Sequence, residues 1–267
     1  VLKQRIATAL VLASLLLGVL LAAPAQAFML CAGLVCMLAA WEWAALAKLP
    51  QWGKGLFAAA VLCGAWTVYV WPPAGLVVAW GCAVVMWGLA WLWVSRYPRS
   101  TSVWANRPVQ CLMGLVALLP TLLAVCFLRQ QEQGHWWVIL LLGTVATADI
   151  GAYFAGRAFG QRKLAPLVSP GKSWEGVFGG WAGALLLAVL LSIINPAISL
   201  LGCLILVMPA AMVSVLGDLV ESMLKREAGV KDSGNLLPGH GGFLDRIDGL
   251  TAAAPVFALS YVQVLGT

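Results

Sequence analysis

The sequence predicts an all-α, polytopic integral membrane protein of about nine transmembrane helices. Three observations predict it. Of 267 residues, 62% are hydrophobic and 10% charged, with a mean hydropathy of +0.94, whereas a soluble domain is roughly half apolar and about a quarter charged. The apolar residues come in runs close to the ~20 needed to cross a bilayer core as a helix. Of the sixteen Lys and Arg, all but Arg129 fall in alternate gaps between those runs, the asymmetry that sets membrane topology.

In chain order, the expected spans are Ile6–Ala23, Phe28–Leu46, Gly55–Trp71, Ala74–Val94, Val109–Leu128, Trp136–Phe154, Val177–Ile194, Ile198–Val220 and Leu250–Gly266. Lys3 and Arg5 precede the first. Lys48 and Lys54 follow the second, and Arg96, Arg99 and Arg107 follow the fourth. Arg157, Arg162, Lys163 and Lys172 follow the sixth, and Lys225, Arg226, Lys231 and Arg246 the eighth. This pattern puts the amino terminus and those loops on the cytoplasmic side of the membrane, so a multi-pass protein of that orientation is expected. Trp41, Trp43, Tyr69, Trp71, Trp136 and Trp137 gather near span ends, where amphipathic rings favour the interface.

The start also matches a secretory signal, with basic residues, an apolar core and Ala25-Gln26-Ala27 as a cleavage motif. An uncleaved first span is the preferred reading, because its run is long and a second span follows at once. Both versions leave the downstream sidedness unchanged. The seven cysteines lie singly in apolar stretches with no Cys-x-x-Cys pair, as small hydrophobes rather than a metal or disulfide set. No basic run interleaved with aromatics points to nucleic acid.

Charge divides the chain. Residues 1–135 hold only two acids, Glu42 and Glu132, and eight of the ten lie from Asp149 onward. Residues 1–135 are therefore expected as an N-terminal transmembrane region for lipid or dimer contacts, and 136–267 as the catalytic region.

Three polar clusters map to the side expected to be cytoplasmic. In the first, Asp149, Tyr153 and Arg157 recur on one helix face. Asp149 lies about 12 Å deeper than Arg157. A carboxylate there is either a buried structural pair or a functional site, and intramembrane acids favour the second. The second cluster is Ser169–Gly176, "SPGKSWEG". A P-loop is excluded because Pro166 stands where its first glycine belongs. Lys172 and Ser173 beside a helix start can still hold a phosphate, with Ser169 and Glu175 in the same turn; a solvated turn fits the spacing as well. In the third, Asp218, Glu221, Ser222 and Lys225 share one helix face, and Asp245 and Asp248 sit three apart. A loop with Gly241, Gly242 and His240 lies between them. Zinc is a poor match to one His among carboxylates; hard oxygen donors suit Mg²⁺. Acids for Mg²⁺ beside Lys and Arg for phosphate oxygens are what phosphoryl-type transfer needs. A cation- or proton-coupled transporter also uses intramembrane acids, but transporters commonly carry repeats in both halves, and here the acids crowd into one.

The stretch Ser222–Asp248, "SMLKREAGVKDSGNLLPGHGGFLDRID", resembles the signature of the bacterial phosphatidate cytidylyltransferases, or CDP-diglyceride synthases. The matching positions are Ser222, Lys225-Arg226, Lys231-Asp232, His240-Gly241-Gly242 and Asp245-Arg246-Ile247-Asp248. Asp149–Gly160 and Ser169–Gly176 are also similar to the bacterial members. Before residue 136 the likeness is mostly topological, plus "AAWEWAAL" at the end of the second expected span. The resemblance implies transfer of a cytidylyl group from CTP to phosphatidic acid, an all-helical homodimer, and Mg²⁺ paired with K⁺. By motif it implies Asp218, Asp245 and Asp248 as metal ligands. Lys225, Arg226, Lys231 and Arg246 are expected to neutralise phosphates, with Asp232 and His240 in the same catalytic set. Another CTP-using lipid phosphotransferase stays open beside this reading.

Overall fold

The computed structural model describes residues 11, 14–70, 73–237 and 241–266. A helical stretch over residues 14–22 leads into eight long helices and one short one. They are α1 (Ala25–Leu46), α2 (Gln51–Tyr69), α3 (Pro73–Ser95), the short α4 (Thr101–Trp104) and α5 (Arg107–Gln130), followed by α6 (Gly134–Phe159), α7 (Trp174–Ile194), α8 (Leu200–Ala228) and α9 (Leu244–Leu265). Seven of these, all but α2 and α4, are long and apolar enough to cross a membrane. Seven of the nine expected spans thus have such a helix in place, and Gly55–Trp71 is met by α2, which is not among them. The first, Ile6–Ala23, falls largely outside the described residues.

Most helices run further than their apolar stretches, because polar residues supply the ends. Asn106 accepts from the Val109 amide at 3.0 Å to start α5, and Ser199 from the Gly202 amide at 3.1 Å to start α8. Gly229, at φ 77°, closes α8 in the left-handed conformation that glycine adopts without strain. α8 has 29 residues, which is about 43 Å of helix, longer than the ~30 Å hydrocarbon core. Its last turns therefore carry Asp218, Glu221, Ser222 and Lys225 towards one end of the bundle.

The segment after α6, expected as a loop, is a small antiparallel hairpin. β1 (Lys163–Ala165) pairs with β2 (Ser169–Ser173), with Lys163 opposite Ser173. Strands this short and polar give no apolar alternation to read. The hairpin delivers Lys172 and Ser173 to the start of α7.

α6 and α7 pack closely through small residues. A Cβ on Gly151 would meet the Gly179 carbonyl, and one on Gly180 the Ala148 carbonyl, the close approach that small residues permit between membrane helices. α8 and α9 approach as tightly, since a Cβ on Gly217 would collide with the Asp248 carbonyl. Pro255 inside α9 leaves the Thr251 carbonyl without its helical donor. The Thr121 hydroxyl on α5 lies 3.0 Å from that oxygen and 2.7 Å from the Ala117 carbonyl, so its one proton is shared between them, a partial side-chain replacement of the kind membrane helices use at proline. Both buried apolar clusters draw on both halves of the chain.

Candidate active site

One end of the bundle gathers the charged residues of α6, the hairpin, α8 and α9. The Lys172 ammonium, at the end of β2, lies 2.6 Å from Asp218 Oδ2 on α8. One turn on, the Ser222 hydroxyl donates to Asp218 Oδ1 at 3.2 Å. Asp149 on α6 is near enough for Lys172 and Asp218 to act on its charge, and Asp248 on α9 feels Asp218, Lys172 and Glu221. Acids from three helices are thus linked in series, Asp149 to Asp218, Asp218 to Asp248 and Asp248 to Glu221, with Lys172 and Lys225 as cations set among them.

The second part of the site is more fully bonded. Lys225 bridges two helices, 2.8 Å from Glu221 Oε2 and 2.6 Å from Asp245 Oδ1. Asp245 Oδ2 accepts the Ser233 amide at 3.0 Å, the Ser233 hydroxyl at 3.0 Å and the Gly242 amide at 2.8 Å. Asp245 therefore fastens the loop that precedes α9 as well as pairing with Lys225. Glu221 is 1% exposed and stands between Lys225, on its Oε2, and the carboxyl group of Asp248.

The remaining expected site residues take varied places. Ser173 is buried, and its hydroxyl accepts the Gly176 amide at 3.2 Å, starting α7. Ser169 opens β2. Glu175, on the first turn of α7, accepts the Gln161 amide at 3.1 Å and the Arg162 amide at 3.2 Å, tying the chain before β1 to the helix. Arg226 Nε donates to the Val168 carbonyl at 3.1 Å and so braces the hairpin. The Arg157 guanidinium meets the Tyr153 hydroxyl at 3.3 Å, and Tyr153 is exposed. Lys231 and Asp232 are exposed on the loop, and Arg246 is exposed on the first turn of α9. Gly241, at φ 83°, lies against the Asp245 carboxylate, with Gly242 beside it. His240 lies outside the described residues.

One contributor escaped the sequence reading. Glu42, on α1, accepts the Ser233 hydroxyl at 3.0 Å and the Leu244 amide at 2.8 Å, both on Oε2. A signal was present: Glu42 is one of only two acids before residue 135 and lies inside an apolar run, where acids are costly unless they serve.

Among the described residues, no three acids, histidines or cysteines close on a single point as an all-protein metal cage would. The donor set nonetheless fits Mg²⁺. That ion is commonly held by one or two carboxylates, waters and substrate phosphates rather than by a full cage. Lys172 marks the face of Asp218 that a cation would take.

A polytopic helical membrane protein with hard oxygen acids and lysines gathered at one bundle end is built for polyanion chemistry rather than for a conduit. The comparisons agree, and the chain belongs to the cytidylyltransferase family, whose pattern it matches over residues 3–264. It is thereby an enzyme of the nucleotidyltransferase class. Similar proteins include the phosphatidate cytidylyltransferases of Pseudomonas aeruginosa, 48% identical over 96% of each chain, and of Haemophilus influenzae, 42% identical over 99% of this chain and 100% of its own. That of Mycobacterium leprae is 32% identical over 96% of this chain and 86% of its own.

Proposed function

We propose that this chain transfers the cytidylyl group of CTP to phosphatidic acid, giving CDP-diacylglycerol and pyrophosphate, with Mg²⁺ and at the cytoplasmic face of the inner membrane. The observation that carries the reading is the meeting of Asp149, Asp218, Glu221 and Asp248 with Lys172 and Lys225 at one bundle end, in a family of cytidylyltransferases. Fifteen Lys and Arg on one side support the cytoplasmic placement, and CTP is found there. Phosphatidate then reaches the site sideways from the inner leaflet.

In this reaction a phosphate oxygen of phosphatidate attacks the α-phosphorus of CTP, and the bond from that phosphorus to the bridging oxygen of the pyrophosphate breaks. The attacking oxygen is already anionic, so no strong general base is required. The demand is to bring two polyanions together and to stabilise the leaving group. Asp218 and Asp248 would hold Mg²⁺, with Asp245 completing the acid set of the signature. Bound there, Mg²⁺ supplies charge neutralisation to the triphosphate. Lys172 turns from Asp218 to a phosphate, an exchange of one anion for another that costs little. Arg246 and Lys231 face the solvent side of the loop and receive the triphosphate tail. K⁺ as a second ion and a homodimeric state are carried over from the family resemblance as part of this proposal.

The test is direct. Purified protein in detergent receives labelled CTP, phosphatidate and Mg²⁺, and CDP-diacylglycerol is followed. Product that requires all three is expected. Absence of product, in an assay where an active relative gives product, sinks the reading.

A further inference from the structure

We propose that Glu42, in the half of the chain without the charged cluster, is a positioning residue for the transfer reaction. It clamps the two ends of the loop at 231–243 and so sets the first turn of α9. The proposal rests on the cytidylyltransferase reading for its kinetic consequence, while the clamp itself stands on geometry.

Four observations converge. Glu42 is 3% exposed, in a segment where an uncompensated carboxylate is costly. One oxygen, Oε2, takes both the Ser233 hydroxyl near the start of the loop and the Leu244 amide just past its end. Leu244 opens α9, and its amide is one of the first-turn donors that no helical carbonyl can satisfy. Phe243, at the N-cap position, makes no side-chain cap bond. Glu42 therefore caps, from another helix, the element that carries Asp245, Arg246 and Asp248. Negative charge at that end also suits the helix dipole.

The loop is shaped for this carboxylate. A Cβ on Gly234 would overlap Glu42 Oε1, and one on Gly242 would overlap Oε2, so the two glycines form a slot that a side chain would fill. Glu42 itself is held rigidly. The neighbouring Trp43 is 2% exposed and donates its indole N–H to the Gln110 carbonyl at 2.8 Å, fixing α1 on α5.

The Ser233 hydroxyl lies 3.0 Å from both Glu42 Oε2 and Asp245 Oδ2. It links the distant acid directly to one of the signature acids. Displacing Glu42 thus frees the loop and shifts Asp245, and with it the register of Asp248 against Asp218. A displacement near 1 Å at reacting groups costs about 10²-fold in rate.

The test uses the full-length protein and three variants. Glu42→Ala removes both bonds. Glu42→Gln keeps an acceptor oxygen for Ser233 and Leu244 and puts its amide nitrogen where Oε1 has no partner. Ser233→Ala removes the hydroxyl that lies between Glu42 and Asp245, while the Leu244 amide stays on Glu42 and the Ser233 amide on Asp245. Two quantities are read: kcat and KM for CTP and phosphatidate, and deuterium exchange of backbone amides over 231–246. For Glu42→Ala, kcat is expected to fall about 10²-fold while each KM moves far less, and loop exchange should quicken. Glu42→Gln should recover most of the rate and the exchange protection, which a role through charge alone would not allow. Ser233→Ala should lower kcat by a smaller factor, and the double variant Glu42→Ala/Ser233→Ala should be no slower than Glu42→Ala.

Unchanged loop exchange and unchanged kcat in folded Glu42→Ala overturn the proposal. So does a loss of rate that only tracks a loss of folded protein. If Glu42→Ala does not fold, wild-type kcat and exchange in Ser233→Ala overturn it instead. Should the wild type make no CDP-diacylglycerol, the exchange arm still decides the clamp, and only the functional reading falls.

Discussion

Asp218 and Asp245 occupy facing helices at the same end of the bundle, yet their surroundings differ. Asp218 has one lysine and one serine hydroxyl, and it looks towards Asp149 and Asp248. Asp245 has a lysine, two backbone amides and a hydroxyl, and its side chain is 8% exposed against 36% for Asp218. A carboxylate with so many fixed partners holds shape. One with few partners, close to other acids, is set to take a cation or to exchange its lysine for one. The comparison divides the site into an exchange side around Asp218 and a frame around Asp245, with Lys225 and Glu221 between them.

The largest expected effects come from the exchange side. Asp218→Asn and Asp248→Asn should each lower turnover about 10³-fold, the scale seen when a preorganised electrostatic group is removed. Thermal stability in detergent should hold or rise, because each change relieves crowding among like charges. Near-normal rates in either variant would remove that residue from the cation set.

Asp245→Asn should break the frame instead. It takes one of two carboxylates from Lys225, which is 13% exposed and keeps Glu221 at 2.8 Å, and weakens the hold on the loop. Loss of a hydrogen bond to a charged group of this kind costs about 1.5–3 kcal/mol. Turnover and melting temperature should fall together, unlike the first two variants. If Asp245→Asn keeps the wild-type melting temperature and loses only rate, Asp245 belongs with Asp218 and the division fails.

Gly217→Ala probes the join between the two sides. The added Cβ meets the Asp248 carbonyl, backbone that cannot swing away. Overpacking of this kind costs about 1–3 kcal/mol. It should separate α8 from α9, lower the melting temperature moderately, and weaken the dependence of turnover on Mg²⁺ concentration more than that on CTP. An unaltered Mg²⁺ titration would show that the α8–α9 spacing does not set the cation site.

Much of this was legible in the sequence, for physical reasons that differ by region. Apolar runs near the span length marked the helices, and the i, i+3, i+4, i+7 spacing placed Asp218, Glu221, Ser222 and Lys225 on one face before any coordinates. Helix ends were misjudged, because α8 and α9 continue through charged turns that hydropathy reads as loop. The hairpin gave no period to read. Partner choice was not legible at all. Nothing in the spacing of Arg226 says that it reaches the Val168 carbonyl, or that Ser173 spends its hydroxyl on α7. Glu42 lies 191 residues from its partner Ser233, and only the fold brings them together.

The smallest effect should come from Glu175, a residue that its sequence neighbourhood marks for substrate binding. Its carboxylate is occupied by the Gln161 and Arg162 amides, and Arg162 Nε stands 3.9 Å away. These bonds hold the turn that launches the hairpin, and the hairpin in turn carries Lys172. Glu175→Gln keeps one acceptor oxygen for those amides and loses only the charge. Turnover should therefore stay close to wild type, with faster amide exchange confined to Gln161 and Arg162. A fall in kcat/KM of about tenfold or more, a whole RT ln 10 of transition-state stabilisation, would mean that Glu175 touches substrate. The exchange side would then extend along α7.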